Sequence, residues 1–418
     1  MVMEILPCCL KGRVRIPPSK SAAHRALICA ALADGESIIR PAVLGADVEA
    51  TLSAARALGA EIEVSGGAIH VRGVKAPPKS AAIDCGESGS TLRFFVPIAA
   101  ALGVETVFSG RGKLAQRPMA PLLDALCAHG ARVKSAQGEI PAVSGALQSG
   151  VYQISGSVSS QYITGLLFAL PLLQGDSELR LTSPLESRGY VDMTVQMMEH
   201  FGVKVNALPD SYRIPGGQRY RPADRAVEGD YSSGAFWLCA GALNSDVYVE
   251  GLEHSSLQGD KQIIPILQRF GAQITTGQNS VGARHGRLVS TDIDVRDIPD
   301  LVPVLAALAC YANGTTIIYN AGRLRLKESD RLMAVTQGLK NLGAGIVEYS
   351  DKLVIIGQAS LRGGAADAFG DHRIAMAMSI AALGCDNPVR ITGAECVAKS
   401  YPDFYDHFVR LGGNCYAV

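Results

Sequence analysis

A short pattern returns six times along these 418 residues. A helical stretch closes on a glycine, and alternating strand residues follow. The glycines are Gly59, Gly130, Gly202, Gly271, Gly343 and Gly412, at intervals of 71, 72, 69, 72 and 69 residues. One glycine after a helix is ordinary, because the chain commonly turns through positive φ there. Six at nearly one period define a repeat architecture. Before Gly343, Leu332, Val335, Leu339 and Leu342 are spaced as one face of a helix. After Gly59, Ile62 and Val64 alternate with Glu61 and Glu63, Ser65-Gly66-Gly67 turns the chain, and Ile69 and Val71 alternate again. This predicts a hairpin with one buried face.

A second recurrence precedes each of these helices. Six nearly all-apolar segments begin with small or polar residues, near Ser21, Ser90, Ser160, Ser233, Asp300 and Arg373. Helices apolar on every side must be buried. The repeating unit is then strand, buried helix, strand, amphipathic helix, hairpin, or βαβαββ. The sixth copy is short, with only six residues after Gly412. The strand candidates Met3–Leu6 and Arg13–Ile16 can supply what it lacks. The expected fold class is therefore α/β, with two lobes of three βαβαββ repeats and buried helices. One lobe is 19–227; the other combines 1–18 with 228–418. The chain would cross between lobes near Pro17-Pro18 and near Val227-Glu228-Gly229. That double crossing suits a hinge, with the lobes facing each other across a cleft.

Composition removes several alternatives. Lys and Arg total 39, as do Asp and Glu, and aromatics are 6%. Neither a nucleic-acid footprint nor a stacking platform for single strands is expected. The longest apolar runs, Tyr162–Leu173 and Leu301–Ala312, fall short of the roughly 20 residues that span a bilayer. Met1–Pro17 has no secretory or transit pattern, so a cytoplasmic protein without membrane attachment is expected. The ten cysteines include no Cys-x-x-Cys, and buried reduced thiols are the expectation. The histidines lack zinc-site spacing, so no metal site is expected.

The polar residues collect at helix starts. Pro18-Ser19-Lys20-Ser21 precedes His24 and Arg25; Gly86-Glu87-Ser88-Gly89-Ser90-Thr91 precedes Arg93; Ser159-Ser160-Gln161 opens the third buried helix and Asp371-His372-Arg373 the sixth. Arg117-Pro118, Ser187-Arg188, Lys327-Glu328-Ser329-Asp330-Arg331 and Lys399 stand at the starts of amphipathic helices. A helix start offers unpaired N–H groups and about half a positive charge. With Lys and Arg added, several such ends make an anion site for phosphate and carboxylate groups, and Ser and Gln suit hydroxyls. Taken singly, each serine is only a cap and Lys327–Arg331 only a solvated face. Asp371-His372-Arg373 is different, because charged residues rarely enter an apolar run without a partner.

These motifs, in this order, resemble the enolpyruvyl transferases. They are Pro-Ser-Lys-Ser with Arg25, Gly-Glu-Ser-Gly-Ser-Thr with Arg93, Arg117-Pro118, Ser159-Ser160-Gln161, Ile298-Pro299-Asp300, Lys-Glu-Ser-Asp-Arg at 327, Asp-His-Arg at 371 followed by Ile374-Ala375-Met376, and Lys399-Ser400-Tyr401-Pro402-Asp403. The resemblance implies two lobes of three βαβαββ units, an inside-out α/β barrel. It implies attack of the 5-hydroxyl of shikimate 3-phosphate on phosphoenolpyruvate, a tetrahedral intermediate and loss of phosphate, a step of aromatic amino-acid biosynthesis. It implies no metal or organic cofactor, and small-molecule substrates acting on a monomer. By resemblance, Lys20, Ser21, Arg25, Ser159, Ser160, Gln161, Ser187, Asp300 and Lys327 bind shikimate 3-phosphate. Lys20, Gly89, Arg117, Gln161, Glu328, Arg331, His372, Arg373 and Lys399 hold phosphoenolpyruvate. Asp300 is the candidate base on the hydroxyl; Lys20 and Glu328 are candidates for moving the proton at the methylene carbon. The arginines offer the fork geometry that carboxylate and phosphate need.

The chain departs from the family pattern at three positions. Glu87 stands where Asn is usual, Ser90 where Thr is usual, and Arg323 where some members carry an Asn that contacts substrate. Arg323 is expected to reach phosphate, or solvent near it. Gly89 permits the closest backbone approach to a ligand, and by resemblance it implies inhibition by glyphosate. A sister branch acting on a UDP-linked amino sugar typically carries a Cys in the loop matching Arg111–Arg117, which has none here. A non-catalytic anion-binding repeat protein would leave the acid–base candidates unexplained. An RNA-end-processing enzyme on similar repeats conflicts with the neutral charge.

Overall fold

The computed structural model describes residues 1–42, 44–135 and 138–418. Among them are twelve α-helices in six pairs. The pairs are α1 (Lys20–Leu32) with α2 (Ala46–Ala57), α3 (Gly89–Leu102) with α4 (Ala120–Cys127), and α5 (Ser160–Ala169) with α6 (Arg188–His200). They continue as α7 (Tyr231–Asn244) with α8 (Ile263–Arg269), α9 (Val302–Ala309) with α10 (Arg331–Asn341), and α11 (His372–Ala381) with α12 (Phe404–Arg410). The chain divides into two compact units, Ser19–Val227 and Met1–Pro18 with Glu228–Val418.

The odd-numbered helices are the buried ones. Every residue from Tyr231 to Leu243 of α7 is buried, and every residue of α9 and α11. Fully burying side chains such as Phe236 or Leu305 contributes on the order of 1.5–3 kcal/mol each. The even-numbered helices bury one face only: α10 covers Leu332, Val335 and Leu339 and leaves Lys340 exposed. All six repeat glycines adopt positive φ, between 78° at Gly202 and 105° at Gly59. The sixfold pattern thus has a local cause, since each amphipathic helix ends where only glycine turns the chain without strain.

Each repeat forms a four-stranded sheet. A first strand runs parallel to the second, the buried helix crosses between them, and a hairpin adds two antiparallel strands. Ser80–Asp84, Glu105–Ser109, Ala142–Ser144 and Arg132–Lys134 show the order. Three sheets borrow a strand. In the unit 19–227, Arg225–Ala226 pairs with Glu36–Arg40 and closes the first repeat. In the other unit, Val2–Leu6 inserts between Val389–Thr392 and Asn414–Ala417, completing the sixth repeat. The next strand, Lys11–Arg15, pairs with Asp246–Glu250 in the fourth repeat instead. The two N-terminal strands therefore finish different repeats, where the sequence suggested that both fill the sixth.

Other expectations need correction. The six sheets stay separate, with four described strands each, and close into no barrel. In the first hairpin, Ile69 and Val71 are buried, but Val64 is 41% exposed, on the strand at the edge of the sheet. Five cysteines are buried, whereas Cys9 and Cys127 are exposed; all are free thiols. Asp300 lies in a 3-10 turn, Pro299–Leu301, just before α9. Lys327 to Asp330 precede α10 rather than opening it, and Lys399 ends a 3-10 turn five residues before α12. No helix among the described residues is long and apolar enough to cross a membrane.

Buried helices approach closely at small residues. A Cβ at Gly165 of α5 would lie 2.2 Å from the Arg93 carbonyl oxygen of α3. Gly165→Ala should force these helices apart and cost roughly 1–3 kcal/mol, measured as a lowered unfolding midpoint in urea.

Candidate active site

Serines at the helix starts divide into two sets. Ser19, Ser88 and Ser159 are caps, accepting the N–H of Ala22, Thr91 and Gln161. Asp230, Asp330 and Asp371 do the same for α7, α10 and α11. Ser21, Ser90 and Ser160 follow the caps and sit in the first turns, so their hydroxyls are not spent on capping.

In the unit 19–227, Lys20 opens α1 and pairs with Asp47 at 2.8 Å. Arg25 is buried, with Nε donating to Thr194 Oγ1 at 2.8 Å and Nη2 to the Tyr190 carbonyl at 2.7 Å. Its Nη1 donates to the carbonyl of Ser21 at 2.7 Å. Burial pushes the Arg25 guanidinium down to about 10, still charged at neutral pH. Gln161 is held at both ends: its Oε1 accepts Arg93 Nη1 at 2.6 Å and its Nε2 donates to Ser90 Oγ at 2.8 Å. Arg93 also donates to the Pro118 carbonyl at 3.1 Å, which ties the Arg117-Pro118 segment to α3. A Cβ at Gly89 would fall 2.8 Å from Arg117 Nη1, so only glycine leaves that guanidinium where it is. Ser187 is buried in the left-handed region at the start of α6 (φ 55°). Glu87 leans on the loop after Arg111, with its carboxyl carbon 3.0 Å from where a Gly112 Cβ would stand.

Behind Lys20 and Gly89 runs a buried polar chain. His24 Nδ1 meets Thr51 Oγ1 at 2.7 Å, Thr51 meets Thr91 Oγ1 at 2.8 Å, and Thr91 meets the Ser88 cap at 2.7 Å. It joins α1, α2 and the start of α3. Burial, followed by Lys20 and Arg25 against the opposing pull of Asp47, brings His24 down to about 3.

In the other unit, three carboxylates converge on Arg331, whose side chain is 1% exposed. Its Nη1 donates to Asp300 Oδ1 at 2.7 Å, its Nη2 to Glu328 Oε2 at 2.8 Å, and its Nε to Asp371 Oδ2 at 2.7 Å. Asp371 Oδ2 also accepts Ser329 Oγ at 3.1 Å, while Oδ1 caps α11 at the Arg373 N–H. Arg373 Nη2 donates to Asp300 Oδ2 at 3.2 Å, and Lys327 Nζ lies 3.5 Å from Asp300 Oδ1. Burial opposes ionisation of Asp300, but Arg373, Lys327 and Arg331 outweigh it and hold the carboxyl well below the usual range. Asp371 is likewise lowered, as Arg331 overcomes burial. Burial, then Arg331 and Arg323, bring the Lys327 ammonium down to about 8 against Asp300 and Glu328. Arg323 donates to the Arg296 carbonyl. His372 opens α11 and is buried, and Lys399 donates to the Gly370 carbonyl at 2.9 Å.

Within this unit, Asp300, Lys327, Glu328, Arg331 and Arg373 are directly linked, and His372 and Lys399 flank Asp371. Two acidic residues of these networks, Asp47 and Asp371, had no assigned role in the sequence. Asp371 carried a signal, an acid at the head of an apolar run; Asp47 stands in an ordinary polar segment. No group of three or more His, Cys, Asp or Glu side chains suited to a metal ion occurs among the described residues.

Six βαβαββ repeats in two units, with basic and acidic side chains gathered at the helix starts, define the enolpyruvyl transferase class of fold. The enolpyruvyl transferase NikO of Streptomyces tendae, at 19% identity, shares it with a TM-score of 0.80, over 99% of this chain and 98% of that one. EPSP synthase from Acinetobacter baumannii aligns over 100% of both chains with a TM-score of 0.85 and 27% identity. The family model for EPSP synthase (3-phosphoshikimate 1-carboxyvinyltransferase) matches residues 7–408. Among curated relatives, the 3-phosphoshikimate 1-carboxyvinyltransferase of Clostridium kluyveri is 46% identical over 98% of this chain and 97% of its own length. That of Clostridium acetobutylicum is 43% identical over 99% and 97%. The chain belongs to the EPSP synthase family.

Two consequences can be measured. Arg331→Leu leaves three carboxylates facing each other without their cation and should cost about 3–5 kcal/mol, read from denaturant midpoints. His24 is neutral in the folded protein down to about pH 3, but takes a proton near 6.5 once unfolded. The unfolded chain thus binds more protons in that window, so this group's contribution to stability is lost as pH falls from about 6.5 to about 3, by roughly 1.4 kcal/mol per unit. In His24→Asn, that part of the slope should be missing.

Proposed function

We propose that this protein transfers the enolpyruvyl group of phosphoenolpyruvate to the 5-hydroxyl of shikimate 3-phosphate and releases phosphate. Family membership supports the reaction class. The observation that carries the assignment of roles is Asp300, a half-buried carboxylate held ionised by Arg331, Arg373 and Lys327. Lys20, Ser21, Arg25, Ser159, Ser160, Gln161, Ser187, Asp300 and Lys327 bind shikimate 3-phosphate. Lys20, Gly89, Arg117, Gln161, Glu328, Arg331, His372, Arg373 and Lys399 hold phosphoenolpyruvate. Arg331 also fixes Asp300 and Glu328, to which it donates.

Asp300 accepts the proton of the 5-hydroxyl as its oxygen bonds to C2 of phosphoenolpyruvate. The methylene carbon takes a proton from Glu328 or Lys20, giving a tetrahedral intermediate with a methyl group. Loss of a methyl proton to the same groups and cleavage of the C2–phosphate bond complete the transfer. The anions of the substrates compete for Arg373 and Lys327, and each cation drawn off Asp300 makes it a stronger base. All bonds balance without a metal or redox group. The protein works as a cytoplasmic monomer on small molecules, without nucleic acid or membrane. Gly89 beside Arg117 leaves room for glyphosate to compete with phosphoenolpyruvate.

Phosphate release from phosphoenolpyruvate should depend on added shikimate 3-phosphate; release that ignores the acceptor, or none from folded protein, would overturn the assignment. Asp300→Ala should bind shikimate 3-phosphate yet turn over slowly, roughly 10²–10⁴-fold below the parent for a lost general base. Because Lys327 loses its charge near pH 8, shikimate 3-phosphate affinity should fall as pH rises through that value. Lys327→Arg should carry the affinity to higher pH, as followed by equilibrium titration.

A further inference from the structure

Close to the Arg331 cluster lies a carboxyl group for which the reaction above has no use. Asp260 sits in the turn Gly259–Gln262 and is 2% exposed. Ser232, in the first turn of α7, donates its hydroxyl to Asp260 Oδ2. The other oxygen, Oδ1, is buried with no hydrogen-bond partner among the described residues. An unpartnered buried oxygen is costly on an anion, and a proton there relieves the cost. The turn is pressed against the segment leading into Asp300: a Cβ on Gly259 would come within 2.9 Å of the Asp297 carbonyl oxygen. The charged groups facing Asp260 are Asp300, Arg373 from α11 and Asp230 from the cap of α7. Burial, then Asp300, push the Asp260 carboxyl up to about 7, against Arg373 and the Ser232 hydroxyl. The same Arg373 donates to Asp300 at 3.2 Å.

We propose that Asp260 is a positioning residue for Asp300: an inner carboxyl, anchored by Ser232, that shares Arg373 with Asp300 and so sets how strongly Asp300 holds a proton. While Asp260 is neutral, the charge of Arg373 serves Asp300 alone and keeps it a weak base. When Asp260 releases its proton to solvent, a second negative charge stands near Asp300 and raises its basicity. This inference rests on the role given to Asp300 above.

The test is the pH profile of kcat and kcat/KM for phosphate release, measured on the full-length parent, Asp260→Asn and Ser232→Ala. Acceptor-dependent release by the parent upholds the enolpyruvyl transfer reading whatever the variants do. The parent profile should bend near pH 7, and Asp260→Asn should lack that bend. Ser232→Ala should shift it upward, because the lost hydrogen bond favoured the anion. Infrared titration of the parent, with no turnover needed, should show a protonated buried carboxyl that ionises near pH 7. Asp260→Asn should lose that band. Retention of the bend in Asp260→Asn overturns the proposal, as does a lowered unfolding midpoint with an unmoved profile. If Asp260→Asn does not fold, Ser232→Ala and the infrared titration of the parent decide in the same way.

Discussion

Helices that are apolar on every side are stable only where every side is covered. That constraint organises each unit of this protein. Three such helices need one another, three sheets and three amphipathic helices around them. One βαβαββ copy could not bury its own central helix, so the repeat is a unit of sequence but not of stability. Strand exchange follows the same logic. Val2–Leu6 and Asn414–Ala417 lie at opposite ends of the chain, yet complete one sheet, because an open edge beside a buried helix would leave backbone groups unpaired.

A buried helix still has ends. Its side walls take mostly apolar neighbours, so much of the polar chemistry gathers at the first turns, where N–H groups lack partners. Caps at Ser19, Ser88, Ser159, Asp230 and Asp371 satisfy those groups. The residues immediately after the caps are then not needed for capping. The charged groups that follow are expensive to bury, and they persist by pairing. Arg331 is the extreme case, with its donors divided among Asp300, Glu328 and Asp371. Such an arrangement holds carboxylates ionised where burial alone would protonate them.

Much of this was legible beforehand. The glycine period and the all-apolar segments follow from local rules: helix C-terminal geometry, helical spacing and the need for burial. The misplacements have physical reasons too. Val64 alternates like a buried strand residue, but its strand is the outermost of its sheet, and alternation cannot tell an inner face from an uncovered one. Lys11–Arg15 looked like a piece of the sixth repeat because sequence adjacency to Val2–Leu6 says nothing about which sheet has a vacant edge. Lys399 looked like a helix start because a 3-10 turn and an α-helical first turn share their polar residues.

The sequence by itself determined the repeat, the buried and half-buried helices, and the residue types at their starts, since each depends on neighbours a few positions away. It determined through its motifs the family to which the chain belongs. Only the tertiary structure decided which of the charged residues pair. Asp300, Glu328 and Asp371 are far apart in the chain, and nothing local says that they meet on one guanidinium. Asp47 beside Lys20, and Asp260 against the segment before Asp300, are likewise products of packing. A carboxylate's chemistry is set by the charges and water around it, and those are fixed only when distant segments come together.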